Sequence, residues 1–268
     1  MSDAYETIHY QRDGDIGTLA LARPAKRNAQ SPLMWDELGQ LGDELLASDL
    51  RCLVVTGEGS TFSAGLDLTE GMTLLAGAAG RSDDEALEAF GRSAMRAIGW
   101  IPELACASVA ALRGHAYGAG LQLALACDFR IVAEGTKVGL LETRYGIFPD
   151  MGATVRLPRI VGESRARELI LLGEVIDAQE ALRIGLANRV VTDEDLDGAA
   201  WELAGRLAAQ PPIAVRGARR AIDVAWHRDA EESLSFAMDQ QRQCLESEDF
   251  REASQALLEG RRPQWRGR

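Results

Sequence analysis

Residues 113–130 read RGHAYGAGLQLALACDFR. A glycine-rich turn (Gly114, Gly118, Gly120) runs into an apolar, alanine-rich segment of good helix propensity, which predicts a loop opening onto a largely buried helix. The first turn of such a helix presents free backbone N–H groups and a partial positive charge, and small residues there let a ligand oxygen approach the main chain. Two readings of the stretch stand side by side: an anion hole, or small residues that only permit tight helix packing.

A second stretch of the same character lies upstream. Residues 61–68, TFSAGLDL, follow the apolar run Leu53, Val54, Val55 and the turn at Gly57 and Gly59, so they form a loop after a strand. Two N–H groups from two such loops, aimed at one oxygen, stabilise a thioester carbonyl as it becomes an enolate, and losing one donor raises the barrier by about 3 kcal/mol. The segments FSAGLDL (62–68), GAGLQL (118–123) and ACD (126–128) together resemble the crotonase superfamily of enoyl-CoA hydratases and isomerases.

That resemblance covers nearly the whole chain and is weakest around 71–83. It implies an α/β fold, a crotonase-like spiral of repeated ββα units over residues 1–192, followed by a C-terminal α-helical oligomerisation module over 193–268. It places the two oxyanion-hole donors at the amides of Leu66 and Ala119, with Ala64, Gly65, Asp67, Leu68 and Gly118 lining the substrate. For Asp67, at the start of a short helix, helix capping is the simpler role. The arginine-proline loop at residues 23–29 resembles the segment that lines the CoA nucleotide site, which makes Lys26 and Arg27 candidates near its phosphates. A further resemblance, in LLETRYGIFPDMGA (140–153), sets carboxylates at Glu142 and Asp150 on loops facing the thioester. Relatives assemble as trimers or dimers of trimers, so a homo-oligomer is expected. CoA arrives as part of the substrate, and no separate cofactor is expected.

Composition sets the outer bounds. The 268 residues, 46% hydrophobic and 26% charged, are enough for a full core. A net charge of −12 argues against nucleic acid or an anionic membrane as partner, since both would repel most of the surface. No apolar run approaches a membrane span and the first residues lack a signal-peptide core, so a cytoplasmic location is the default expectation. Cys52, Cys106, Cys127 and Cys244 are widely spaced in apolar or helical contexts, fitting neither a disulfide framework nor a zinc site. His9, His115 and His227 form no metal constellation. Arg23, Lys26 and Arg27, and then Arg261, Arg262, Arg266 and Arg268, form two basic clusters that are either solvated charge or grips for a phosphorylated ligand.

Along the chain, residues 5–12 and 16–22 flank Asp13-Gly14-Asp15 as a hairpin. Ser31 and Pro32 start a helix to about 47. A strand over 51–57, an irregular segment over 71–81 beside the acyl tunnel, a helix over 83–100 and strands over 106–112 and 129–133 follow. Helices are expected at 163–172, 178–184, 194–209 and 212–226, with a short strand at 188–191, and residues 234–259 resemble the C-terminal helical module of the crotonase superfamily. The glycines match no dinucleotide or phosphate-loop fingerprint, and Ser63 lies in no nucleophile elbow.

Water addition in the resembled family uses two carboxylates, and one of those positions is Gln122 here. An amide has no titratable proton and cannot be a general base. Moving a double bond needs a single base, so the expected reaction is enoyl-CoA isomerisation with Asp150 as base, Glu142 assisting and Gln122 as polar positioner. The alternatives are a hydratase of low or altered activity that uses Glu142, and a non-catalytic acyl-CoA-binding protein.

Overall fold

The computed structural model describes residues 5–71, 73, 77 and 84–268. Its centre is a six-stranded sheet beside a three-stranded one. Strands β1 (Ile8–Asp13) and β2 (Ile16–Leu21) form the expected antiparallel hairpin. From β2 onward, β3 (Cys52–Gly57), β4 (Ala107–Leu112), β6 (Phe129–Ala133) and β9 (Arg189–Val191) add in parallel.

Parallel strands covered on both faces need apolar side chains in both directions, which is why β3 and β4 read as largely apolar runs, with Thr56 and Ser108 as their polar members. Alternate residues divide between two cores. Leu53, Val55, Ala110 and Leu112 join the larger one, together with Met34, Leu38 and Leu41 of α1 (Pro32–Leu46) and Ala94, Ala97 and Ile98 of α2 (Asp84–Gly99). Cys52, Val54, Val109, Ala111 and Ile131 join the other.

The second small-sheet strand of each repeat lies next to that of the preceding repeat. Thus β5 (His115–Tyr117) pairs with β7 (Lys137–Gly139), Ser63 bridges Ala116 and Gln30 bridges Leu66, all in parallel, while β8 (Val175–Asp177) closes the sheet antiparallel to β7. Strand β4 leads through β5 into α3 (Ala119–Ala126), and β6 leads through β7 and a 3-10 turn (Glu142–Tyr145) into α4 (Ala153–Val161). This is the expected ββα repetition. The chain continues through α5 (Glu163–Leu171) and α6 (Ala178–Arg183).

Helix α7 (Leu196–Ala208) falls on the C-terminal side of the expected division at 192, yet Leu196, Ala199, Ala200, Ala204 and Ala208 complete the second core. Its alanines let the helix lie close on the sheet. Beyond it, α8 (Pro212–Val224), α9 (Ala230–Glu246) and α10 (Glu248–Glu259) form the outer part. The helical stretch expected over 234–259 falls in two helices, because Ser247 is extended (φ −70°, ψ 157°) and its side chain accepts from the Phe250 N–H as an N-cap. Arg219 of α8 fastens this part to the core through Asp128 (2.9 Å) and the carbonyl of Leu104.

The tail returns to the body, with Trp265 Nε1 donating to the Ala209 carbonyl (2.8 Å) and the amides of Arg266 and Gly267 donating to Asp249. Three of the four arginines in the C-terminal basic cluster are paired: Arg261 with Glu252 and Glu259, Arg266 and Arg268 with Glu248. Cys52, Cys106 and Cys127 are buried free thiols, and burial pushes Cys106 up to about 11 and Cys127 up to about 12. The irregular segment expected at 71–81 lies almost wholly outside the described residues.

Candidate active site

The two glycine loops meet because each presents a glycine to the other. A methyl at Gly65 (φ +92°) would stand 2.7 Å from the Tyr117 carbonyl oxygen and 3.6 Å from the Ala119 nitrogen. A methyl at Gly120 would stand 2.6 Å from Ser63 Cβ. The backbone bonds Ser63 N–H to His115 O (3.0 Å) and Tyr117 N–H to Ser63 O (3.0 Å) hold the loops in this register. Among the described residues, neither the Leu66 nor the Ala119 N–H donates to a protein acceptor. Ala119 is the first residue of α3, where such an orphan amide is expected.

Asn28 organises the first loop, and no signal in the sequence singled it out. It is fully buried with φ +53°, a conformation asparagine tolerates better than most residues. Its Nδ2 donates to the carbonyls of Glu58 (2.9 Å) and Thr61 (2.7 Å), its Oδ1 accepts from the Arg23 N–H, and its carbonyl accepts from Ser63 Oγ. The Ala64 N–H donates to the Arg27 carbonyl (2.9 Å), stitching the arginine-proline loop to the glycine loop.

Lys26, expected near CoA phosphates, has its ammonium between Asp67 (3.4 Å) and Glu70 (3.3 Å), where Arg23 also pairs with both acids. Arg27 is exposed, as is Leu68. Asp67, grouped with the substrate-lining residues, is the cap it more simply resembled: Oδ1 accepts from the amides of Thr69 and Glu70, and Oδ2 faces Arg23 and Lys26. Burial alone would raise its carboxyl, but the Glu70 amide, Lys26 and Arg23 together hold it below the usual aspartate value. Both oxygens of Asp67 are thus occupied by protein partners.

The acids come from the next repeat. Glu142, in the 3-10 turn after β7, packs against the turn into α3, and a methyl at Gly118 (φ +49°) would lie 3.4 Å from its Oε1. Gln122, one helical turn into α3 and 1% exposed, donates through Nε2 to Glu142 Oε1 (2.9 Å). The Gln122 amide oxygen accepts from the Met151 N–H (2.8 Å) and the Ala153 N–H (3.2 Å). The Met151 carbonyl in turn accepts from Arg156 Nη1 (3.0 Å), so Met151, the residue after Asp150, is held at both its N–H and its C=O. Gln122 therefore touches the two acid-bearing segments, and its oxygen is not free for water or substrate.

Glu142 is buried, and its Oε2 has no hydrogen-bond partner among the described residues. Burial raises its carboxyl above the ordinary glutamate value; its own backbone amide and Gln122 oppose this, and the Asp150 charge adds to it. Asp150 is more open than the apolar pocket expected for it. It is exposed to solvent in the single chain, yet the protein around it still raises its carboxyl through partial burial. Among the described residues it has no ion-pair partner. No group of three or more His, Cys, Asp or Glu side chains suited to a metal occurs among them either.

A spiral of ββα repeats that packs two glycine loops together, each with a main-chain amide lacking a protein acceptor among the described residues, beside a segment bearing a buried acid and an accessible one is the architecture of the crotonase type of enzyme. The chain belongs to the enoyl-CoA hydratase/isomerase family, whose pattern matches residues 11–268. It is 38% identical to YngF of Bacillus subtilis, a protein assigned to the enoyl-CoA hydratase/isomerases, over 94% of this chain and 95% of that one. It is 34% identical to the crotonyl-CoA hydratase of Syntrophomonas wolfei, over 97% of each. In three dimensions it is similar to the enoyl-CoA hydratase of Bacillus anthracis, with a TM-score of 0.91 at 32% identity, covering 98% of this chain and 100% of that one. No helix among the described residues is long and apolar enough to cross a membrane.

Proposed function

We propose that this protein isomerises the double bond of an enoyl-CoA, with the amides of Leu66 and Ala119 as oxyanion hole and Asp150 as base. The thioester oxygen sits between the two amides and gains charge as Asp150 takes a proton from C2 of a 3-enoyl thioester. The resulting dienolate is held by the amides, and the proton returns at C4, leaving the 2-enoyl product. Glu142 assists as a neutral acid.

The observation that carries this reading is the occupancy of position 122. The amide there cannot titrate, and its oxygen is engaged by Met151 and Ala153, whereas Asp150 offers an accessible carboxyl with a raised proton affinity. One accessible acid suffices for a proton shuttle. The CoA moiety is expected along the loops at Ala64, Gly65 and Gly118, with Arg27 rather than Lys26 available to its phosphates.

A second reading, reversible hydration by Glu142 and Asp150 acting together, is favoured by the hydratase names of the relatives and by the coupling between the two acids. Assays on 2-enoyl and 3-enoyl thioesters separate the two. Under the isomerase reading, Asp150→Asn loses about 10²- to 10⁴-fold in kcat on a 3-enoyl-CoA. Unchanged isomerisation in that variant rejects Asp150 as base. Tight binding of CoA esters with no turnover on either substrate would make the protein an acyl-CoA binder instead.

A further inference from the structure

We propose that Gln122 is a positioning residue that acts on both acids at once: its NH2 group confines the proton of Glu142 to Oε2, and its amide oxygen holds the Asp150 loop in fixed register with that carboxyl. This rests on the reading of Glu142 and Asp150 as the working acids. The orientation of the Gln122 amide is set by chemistry, because the two main-chain donors of Met151 and Ala153 require an oxygen, which leaves the nitrogen facing Glu142. Glu142 Oε1 is therefore an acceptor.

A buried carboxyl oxygen to which no protein group donates is costly when ionised and tolerable when it carries a proton. Oε2 is in that position. With Oε1 accepting from Gln122, the proton belongs on Oε2, the oxygen without a partner among the described residues. Asp150 is the charge that bears on Glu142. Gly118, facing Glu142 from the entry to α3, carries none, and the stem of Arg144, on the same 3-10 turn, lies against Gly173.

A carboxylate at position 122 cannot do the same work. Its Oε1 would still serve Met151 and Ala153, but its other oxygen would meet Glu142 Oε1 at about the present 2.9 Å, two acceptors with one proton to share. In Gln122→Glu the proton moves from Oε2 into the gap between the two side chains. Gln122→Met keeps the bulk, removes the donor that favours ionised Glu142 and releases the Asp150 loop.

The test is a pH titration of the ligand-free full chain, following the infrared C=O band of the protonated carboxyl that disappears in Glu142→Gln, together with pH profiles of kcat on a 3-enoyl-CoA. Gln122→Glu should shift the band to the frequency of a strongly hydrogen-bonded acid, raise its titration by about one pH unit or more, and move the high-pH limb of kcat by the same amount. Gln122→Met should also raise the titration, and should lower kcat by about 10²-fold through misplacement of Asp150. A Glu142 band and titration equal to the parent protein in either folded variant overturns the proposal, even if both variants lose activity. If Asp150→Asn keeps full isomerase activity, the proposed reaction falls while the infrared titration still decides the role of Gln122.

Discussion

Glu142 has one hydrogen-bonded oxygen and, among the described residues, one with no partner, and that asymmetry bears on stability as well as chemistry. Because its carboxyl is raised above the 4.5 of a free glutamate, the folded chain holds this proton at pH values where the unfolded chain has released it. Its contribution therefore falls as pH rises from about 4.5 towards the folded value, and stays low above that. Glu142→Gln should match the parent protein in Tm near pH 4 and exceed it at pH 7, each kcal/mol corresponding to about 2–4 °C in a chain of this size, while turnover drops about 10²-fold or more. Calorimetry at the two pH values checks this, and an equal Tm difference at both would mean that the carboxyl is not desolvated. The identities at 122, 142 and 150 were legible in the sequence through the resemblance. The partners of Gln122 were not, because two main-chain amides far along the chain leave no trace in residue types. Asn28 escaped for the same reason: its four bonds join segments that are contiguous only after folding.

At the scale of elements, the meeting of the two loops follows from stacking successive repeats, Gln30 beside Leu66, Ser63 beside Ala116 and β5 beside β7. The sheet strands β3 and β4 were readable as apolar runs and the hairpin by its Asp-Gly turn. The three-residue strands β5 and β8 are too short to show alternation, so the second sheet was invisible before folding. What the glycine pattern did reveal was close approach, although not between which partners. Gly120→Ala separates helix propensity from that approach. Alanine favours α3 by about 1 kcal/mol, but its methyl falls 2.6 Å from Ser63 Cβ and wedges the loops apart. The expected result is an intact fold by circular dichroism and a kcat lowered by about 10²-fold, the loss of one oxyanion donor. Full activity in Gly120→Ala would show that the amides of Leu66 and Ala119 do not work together.

Across the whole molecule, the described surface is uneven in a way that the core is not. Helix α7 is absorbed into the second core, whereas α9 carries Leu234, Met238 and Leu245 exposed at 69%, 66% and 47%, and α10 ends with Leu257 and Leu258 above 80%. Leu234, Met238 and Leu245 recur at the spacing of one helical face, an apolar stripe on an outer helix of a chain whose net charge of −12 would otherwise keep copies apart. Full burial of such a side chain contributes about 1.5–3 kcal/mol, so a few of them across a symmetric contact outweigh that repulsion. The homo-oligomer implied by the sequence resemblance is the assembly that would cover this stripe. Sedimentation velocity at micromolar concentration should then give a multiple of the chain mass, and Leu234→Glu combined with Met238→Glu should give the single chain with its helical content unchanged. The paired charges at Arg219 and Asp128 lie inward of this face and hold α8 to the core, so dissociation should leave the site geometry in place. A parent protein that sediments as one chain across that range, or a double variant that still assembles, would mean that the stripe is not where copies meet.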